Sequence, residues 1–407
     1  MIRIRRDGAD DLLLEGGRIA AAVPPSGAPE TVVDARGLLV VPGLIDMHVH
    51  LREPGREDQE TIATGAAAAA AGGFTSVAAM ANSGIPCDTA VGVVYVLARA
   101  REAGLANVFP VGAVSKGLRG EELAELGRMA EAGAVAFSDD GRPVMNSELM
   151  RRALEYSKML GKPILSHCED AGLTRGALMN EGRVAAELGL RGWPAEAEAI
   201  LAARDVYLAA LTGGHVHIQH VSARETVEIV RRAKKMGIRV TAEATPHHLT
   251  LTEECLRGYE SRYKVNPPLR SKADVEAVVE GVADGTIDAI ATDHAPHTVE
   301  EKEQELAACP SGVVGLETAL GVLLSVRGIP RERLIDALTA APARILGLSA
   351  KGRLEPGADA DVTVIDPRAV WTVDPSKFRS RGRSTPFEGM TLTGRALRVF
   401  VGGRECS

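Results

Sequence analysis

The order of apolar runs along this chain predicts a (β/α)8 TIM barrel carrying a small β-sandwich built from both chain ends. Three observations support that expectation. Eight short apolar runs alternate with helix-like stretches through the middle of the chain. Metal-capable side chains recur at the ends of those runs. Both flanks read as short strands joined by glycine turns, and neither has room for a core of its own.

Taken in order, the runs are LVVPGLIDMHV, FTSVAAM, NVFPVGA, AVAFS, PILSH, HVHIQHV, RVTAEAT and DAIAT. Between them lie stretches of helical period, among them EELAELGRMAEAG (121–133), ELMRRALEYSKMLG (148–161) and SARETVEIVRRAKKMG (222–237). A doubly wound sheet would show the same alternation, but no GxGxxG loop follows the first strand. The flanks carry DLLLEGGRIAAA and TVVDARGLLVV at one end, and KGRLEPGADADVTVID and ALRVFVGGREC at the other. This divides the chain into a discontinuous β-sandwich domain, 1–45 plus 350–407, and a barrel of residues 46–349.

Composition narrows the function classes. Hydrophobic residues make up 45% of the 407 and aromatics only 3%, so the core must be aliphatic and closely packed. The net charge is −7 with no block of one sign, which argues against nucleic acid or an anionic membrane as partner. No apolar run is long enough to span a bilayer, and the basic N-terminus lacks the apolar segment of a secretory signal. Five scattered cysteines without a CxxC pair fit a reducing cytoplasm.

The strand ends carry the chemistry. His48, His50 and Arg52 close the first run, Asn82 follows the second, and Asp140 the fourth. His167 ends the fifth, His220 the sixth and Asp293 the eighth. In such barrels the C-terminal strand ends build the active site, so six potential ligands fall at one mouth. HxH alone is weak, yet residues two apart on a strand share a face, and two unpartnered imidazoles would be costly in an apolar interior. A hydrogen-bonded core histidine would account for His167 or His220 singly; together with HxH they read as ligands. By the same parity His215 and His217 face away from His220 and read as structural or outward-facing. In SDDGRP one aspartate ligates and one shapes the turn, and either Asp139 or Asp140 could do each. Asp293 ends an apolar strand, where a lone carboxylate needs a cation. Four histidines and two aspartates exceed one tetrahedral zinc and suit two metals with a bridging carboxylate. Zinc is favoured by nitrogen and oxygen donors, with manganese, cobalt or iron also compatible.

PGLIDMHVHLREPG, with AFSDDG, ILSHCED, HVSARETV, VTAEATPHHL, NPPLRSKAD and ATDHAPHTVEEK, resembles the type I dihydroorotases along essentially the whole chain. The resemblance implies one zinc on His48, His50 and Asp293, a second on His167 and His220, and Asp140 bridging both. AVAFSDDG holds no lysine, unlike the many relatives that bridge with a carboxylated one. It further implies a pocket of His50, Arg52, Asn82, Asn266 and His297 with the backbone at Ser311 and Gly312. Arg52 would offer its planar fork to a carboxylate; pairing with Glu53 or Asp58 is the structural alternative. His247, His248 and His294 read as supporting groups. Where the family usually has MPNT, Ala81 and Ser83 flank the asparagine, and Pro310 precedes Ser311 where the family has an aromatic. The implied reaction is reversible closure of N-carbamoyl-L-aspartate to dihydroorotate, with Asp293 as general base and acid. A homo-oligomer is also implied, with a complex with aspartate transcarbamoylase open to it. The rivals are a hydantoinase, dihydropyrimidinase or allantoinase, and a metal-free scaffold for that transcarbamoylase.

Overall fold

The structure is a computed structural model, and it describes residues 1–21 and 31–406. Residues 22–30 and 407, which the expected end domain includes, lie outside the described residues. Eight parallel strands form one sheet in sequential order, from Leu44–Val49 through Phe74–Ala79, Asn107–Gly112, Ala136–Phe137, Ile164–Ser166, Val216–Ile218 and Val240–Ala244 to Ala289–Ile290. The first and last strands meet through a parallel bridge between Val49 and His294, and the His50 amide donates to the His294 carbonyl at 2.8 Å. That contact closes the barrel.

One apolar run proves to be two strands. Leu39–Pro42 pairs antiparallel with Val362–Thr372 in an end sheet, while Leu44–Val49 begins the barrel. Gly43 separates them because a Cβ there would collide with the Thr75 side chain. The other expected helices and strands form where sequence chemistry favours them. Asn146 caps Ser147–Leu160 by accepting from the Glu148 and Leu149 amides, and Gly161 ends it at φ 64°. In Arg224–Lys235 an acidic Glu225 opens the first turn and Arg232, Lys234 and Lys235 fill the last, matching the helix dipole. The stretch 121–125 is not helical, since the Ala124 amide donates to Val114 and Ser115 bridges Leu123; the helix starts at Leu126.

Two apolar layers hold the barrel. Outside it, Val216, Ile218, Val227, Val230 and Ala233 belong to the layer between strands and helices. Inside, Met47, Ala78, Val111, Leu165 and Ala289 fill the interior, joined by Ile345 and Leu346. The alanine-rich helix Ile62–Gly72 buries Ala66, Ala68 and Ala69 completely, which small side chains alone permit at so close an approach.

The ends build two four-stranded sheets. One joins Arg18–Ala20, Leu12–Glu15, Ile2–Arg5 and Thr31–Asp34, with the last pair parallel. The other joins Arg404–Glu405, Thr391–Val401, Val362–Thr372 and Leu39–Pro42, all antiparallel. Ile4, Leu14 and Val33 from one end pack in a single apolar cluster with Val362, Val364 and Phe400 from the other.

Candidate metal centre

The mouth of the barrel collects the six expected groups. His48 Nε2 lies 3.4 Å from Asp140 Oδ1 and 3.5 Å from Asp293 Oδ1. His50 Nε2 lies 3.4 Å from Asp140 Oδ2 and 3.0 Å from Asp293 Oδ1. On the other side, His167 Nδ1 and His220 Nε2 lie 3.5 and 3.4 Å from Asp140 Oδ1. Asp140 therefore stands between two lobes, with His48, His50 and Asp293 in one and His167 and His220 in the other. Asp139 is excluded from the centre, since its carboxylate accepts from the Val114 and Ser115 amides.

These spacings suit metal ions. Ligand atoms 2.0–2.2 Å from a tetrahedral ion are separated by roughly 3.3–3.6 Å. Two of the atoms, His48 Nε2 and Asp140 Oδ1, are buried without a hydrogen-bond partner, which is costly unless a cation takes their lone pairs. Outer contacts set the tautomers accordingly. His48 Nδ1 donates to Glu243 Oε1 at 2.7 Å, His50 Nδ1 to Asn82 Oδ1 at 2.7 Å, and His167 Nε2 to Glu169 Oε2 at 2.9 Å. Each leaves its lone pair facing the centre. His167 Nδ1 and His220 Nε2 lie 2.8 Å apart and both approach Asp140 Oδ1. The donor set fits a metal.

Backbone geometry corrects the parity argument. His217 faces into the barrel, where its Nε2 donates to Glu243 Oε2 at 3.1 Å, while Val216 and Ile218 pack outward on the helices. His220 reaches the centre because the chain turns after the strand, with His220 at φ 33°. Arg52 likewise lies beyond the strand, at φ 59°, and Asp293 sits at φ 50°. Three of the five described non-glycine residues with positive φ are thus at this mouth, where strain is retained only if the surroundings enforce it.

A cavity of about 220 Å³ opens on the centre, lined by Arg52, Asn82, Asn266, His297, Ser311 and Gly312 as well as every ligand group but His48. Arg52 pairs with neither Glu53 nor Asp58: Glu53 accepts from Arg99 and Tyr95, and Asp58 from Arg56. Its Nε donates to the Pro296 carbonyl at 3.1 Å, and no carboxylate forms an ion pair with it among the described residues. Asn266 Oδ1 is buried without a partner, an acceptor aimed at no protein group. Asn82 is more committed, holding His50 and donating to the Asp140 carbonyl at 3.1 Å. His297 Nε2 donates to the Ser311 carbonyl at 2.9 Å while Gln59 donates to its Nδ1; burial and nearby Arg52 push its pKa down to about 4.

Sequence reasoning missed Glu169, Glu243 and Gln219. Glu243 was visible as an acidic residue inside an apolar strand, a pattern that needs a buried partner. Of the three histidines read as supporting groups, His294 meets Glu60 at 3.3 Å and His248 donates to the Pro267 carbonyl, while His247 Nε2 is buried without a hydrogen-bond partner. Cys168 is a buried free thiol against Ser166 and Asp205, apart from the ligand groups.

A family model described as dihydro-orotase-like matches residues 37–226. A dihydroorotase of Pelotomaculum thermopropionicum is 55% identical over 402 residues, 97% of this chain and 93% of the relative. One from Syntrophus aciditrophicus is 51% identical, covering 98% of this chain and 95% of the relative. Among solved structures, the L-hydantoinase (dihydropyrimidinase) of Arthrobacter aurescens matches with a TM-score of 0.88 at 26% identity, over 99% of this chain and 95% of that one. The D-hydantoinase (dihydropyrimidinase) of a Thermus species matches at 0.83 and 27%, over 100% and 95%.

Proposed function

The chain belongs to the dihydroorotase family of cyclic amidohydrolases, and we propose that it interconverts N-carbamoyl-L-aspartate and L-dihydroorotate, a step of pyrimidine biosynthesis. Relatives of that name share about twice the identity of the hydantoinase structures, so the hydantoinase reading is disfavoured. The single observation that favours a carboxylate-bearing ring is Arg52, a half-buried guanidinium at the cavity wall with no ion-pair partner among the described residues. The metal-free scaffold reading sits poorly with six ligand-type groups at one mouth.

The enzyme uses a metal cofactor, which we assign as two zinc ions per chain. His48, His50 and Asp293 would hold one, His167 and His220 the other, and Asp140 both. When bound, the metal supplies positive charge that polarises a ring carbonyl and lowers the pKa of water at the site. Asp293 takes the proton from the attacking water and returns it to the departing ring nitrogen. Arg52 clamps the carboxylate with its two terminal nitrogens, helped by Asn82, while His297 holds the Ser311 carbonyl at the cavity wall. Asn266 Oδ1 accepts from a ring N–H, and the backbone of Ser311 and Gly312 closes the remaining side.

We read residues 1–45 and 350–407 as one domain beside the 46–349 barrel, supported by their shared apolar cluster. We further place the enzyme in the cytoplasm, in keeping with five free cysteines and with no described helix long and apolar enough to cross a membrane. A homo-oligomer is supported by Ile200, Tyr207 and Leu211, exposed along one side of helix Glu196–Thr212. Association with aspartate transcarbamoylase is compatible with this reading. Metal analysis beside a dihydroorotate ring-opening assay tests the function. Up to two zinc ions per chain are expected, with activity lost to chelators; turnover by protein free of divalent metal would sink the reading.

A further inference from the structure

Ser311 and Gly312 line the cavity, yet the segment leading to them after helix Val299–Lys302 has no regular secondary structure. A segment of this kind must be ordered when ligand binds, at an entropic cost, unless the protein already holds it. Two lysines hold it. Lys264 Nζ donates to the carbonyls of Leu306 at 2.5 Å and Cys309 at 2.7 Å. Lys302 Nζ donates to the carbonyls of Pro310 at 2.9 Å and Gly312 at 3.0 Å. Both lysines are buried, and neither has a carboxylate partner among the described residues. Burying an ammonium group without a counter-ion is expensive, so two such groups spent on one short segment mark its conformation as important.

The remaining contacts complete the grip. His297 takes the Ser311 carbonyl, and the Gly312 amide donates to the Lys264 carbonyl at 3.0 Å. Every carbonyl from Cys309 to Gly312 is therefore held by a side-chain donor. Gly312 sits at φ 125° with Ala295 and His297 against the position a Cβ would take, so no other residue fits there. In a trans peptide the N–H points opposite to the preceding carbonyl. The grip of Lys302 on Pro310 thus turns the Ser311 N–H away from Lys302, and that N–H has no partner among the described residues.

We propose that Lys264 and Lys302 are positioning residues that lock residues 306–312 in one conformation, in which the Ser311 N–H is a ready donor to an anionic oxygen of the bound ligand. The identity of that oxygen, a carboxylate, rests on the reaction proposed above; the clamp itself rests on the contacts just given. It adds a donor beside Arg52 at a place where His297 is already engaged.

Lys302→Met and Lys264→Met keep an apolar stem and remove the ammonium. KM for dihydroorotate should rise roughly 10- to 150-fold, the loss of one hydrogen bond to a charged group. The kcat should stay within about threefold, because the reacting atoms are untouched. In the ligand-free, metal-loaded protein, amide exchange across 303–313 should quicken in both variants. Lys302→Gln, which keeps a polar donor, replaces the methionine variant if that one does not fold. A KM within about twofold of wild type, or a kcat that falls while KM holds, overturns the proposal. If wild-type protein does not open dihydroorotate, the reaction reading fails instead. Exchange then decides the clamp, and unchanged protection of 303–313 in both variants overturns it.

Discussion

Glu243→Gln separates the charge beneath the metal centre from the shape that fills the barrel. The Glu243 carboxylate is fully buried and accepts from two imidazoles, His48 at 2.7 Å and His217 at 3.1 Å. Glutamine has the same outline but only one acceptor, so one imidazole would meet an N–H with an N–H. His217 can resolve that conflict. Its Nδ1 lies 2.9 Å from the Thr241 hydroxyl, which can accept a hydrogen bond once the ring proton sits on Nδ1 instead of Nε2, leaving Nε2 free to accept from the amide. His48 then keeps its lone pair toward Asp140 and Asp293. What disappears is the negative charge behind a ligand imidazole, and losing such a partner typically weakens metal binding about 10- to 100-fold, or about 1.4–2.8 kcal/mol. Zinc affinity should be measured by chelator competition at constant pH, alongside an unfolding midpoint for the metal-free protein. The midpoint should change little for glutamine. Glu243→Ala should be worse in both measurements, because two buried N–H groups lose their acceptor at about 1–3 kcal/mol each. Zinc bound by the glutamine variant as tightly as by wild type would show that His48 needs no charge behind it, and the tautomer argument would fall.

Three further outcomes are expected. Arg52→Lys should lower kcat/KM for dihydroorotate, since an ammonium cannot grip both carboxylate oxygens; a loss of roughly 2 kcal/mol or more is expected, and wild-type kinetics would make Arg52 structural. Asp293→Asn should lose about 10²- to 10⁴-fold in kcat at matched metal occupancy, whereas near-wild-type turnover of the fully metallated variant would leave Asp293 a ligand only. In metal-free protein, His215 and His297 should each contribute stability that is lost as pH falls from 6.5 to about 4. Burial pushes His215 and His297 down to about 4 from the ordinary 6.5, so in that window the unfolded chain binds protons that the native state refuses. Each contributes at most about 3 kcal/mol, and a His215→Gln urea titration with an unaltered pH slope would contradict this.

The barrel was legible because its strands are apolar runs ending in residues that an apolar interior would not tolerate alone. Convergence at one mouth could be read from strand ends without coordinates. Four things could not. The bond between Leu39–Pro42 and Val362–Thr372 depends on residues far apart in sequence, so the first run looked like one strand. Parity misjudged His217 because His220 leaves the strand through a left-handed turn, and nothing in HVHIQHVS signals that turn. The choice between Asp139 and Asp140 depended on which carboxylate the Val114 and Ser115 amides would claim, a contact across two loops. Glu169 was passed over because a carboxylate two residues after a histidine looks like an ordinary solvated side chain.

The pairing of Leu39–Pro42 with Val362–Thr372 has a bearing on how the chain is made. It closes a loop of about 320 residues, so this sheet cannot assemble until nearly all of the barrel has left the ribosome. Gly43 alone then separates the waiting strand from the one that leads into His48 and His50. During synthesis, residues 39–42 present an unpaired apolar edge joined directly to the first metal-site strand, an arrangement that invites misassociation between nascent chains. Docking of the late C-terminal strands buries that edge, making it the step at which a growing chain becomes safe from its neighbours.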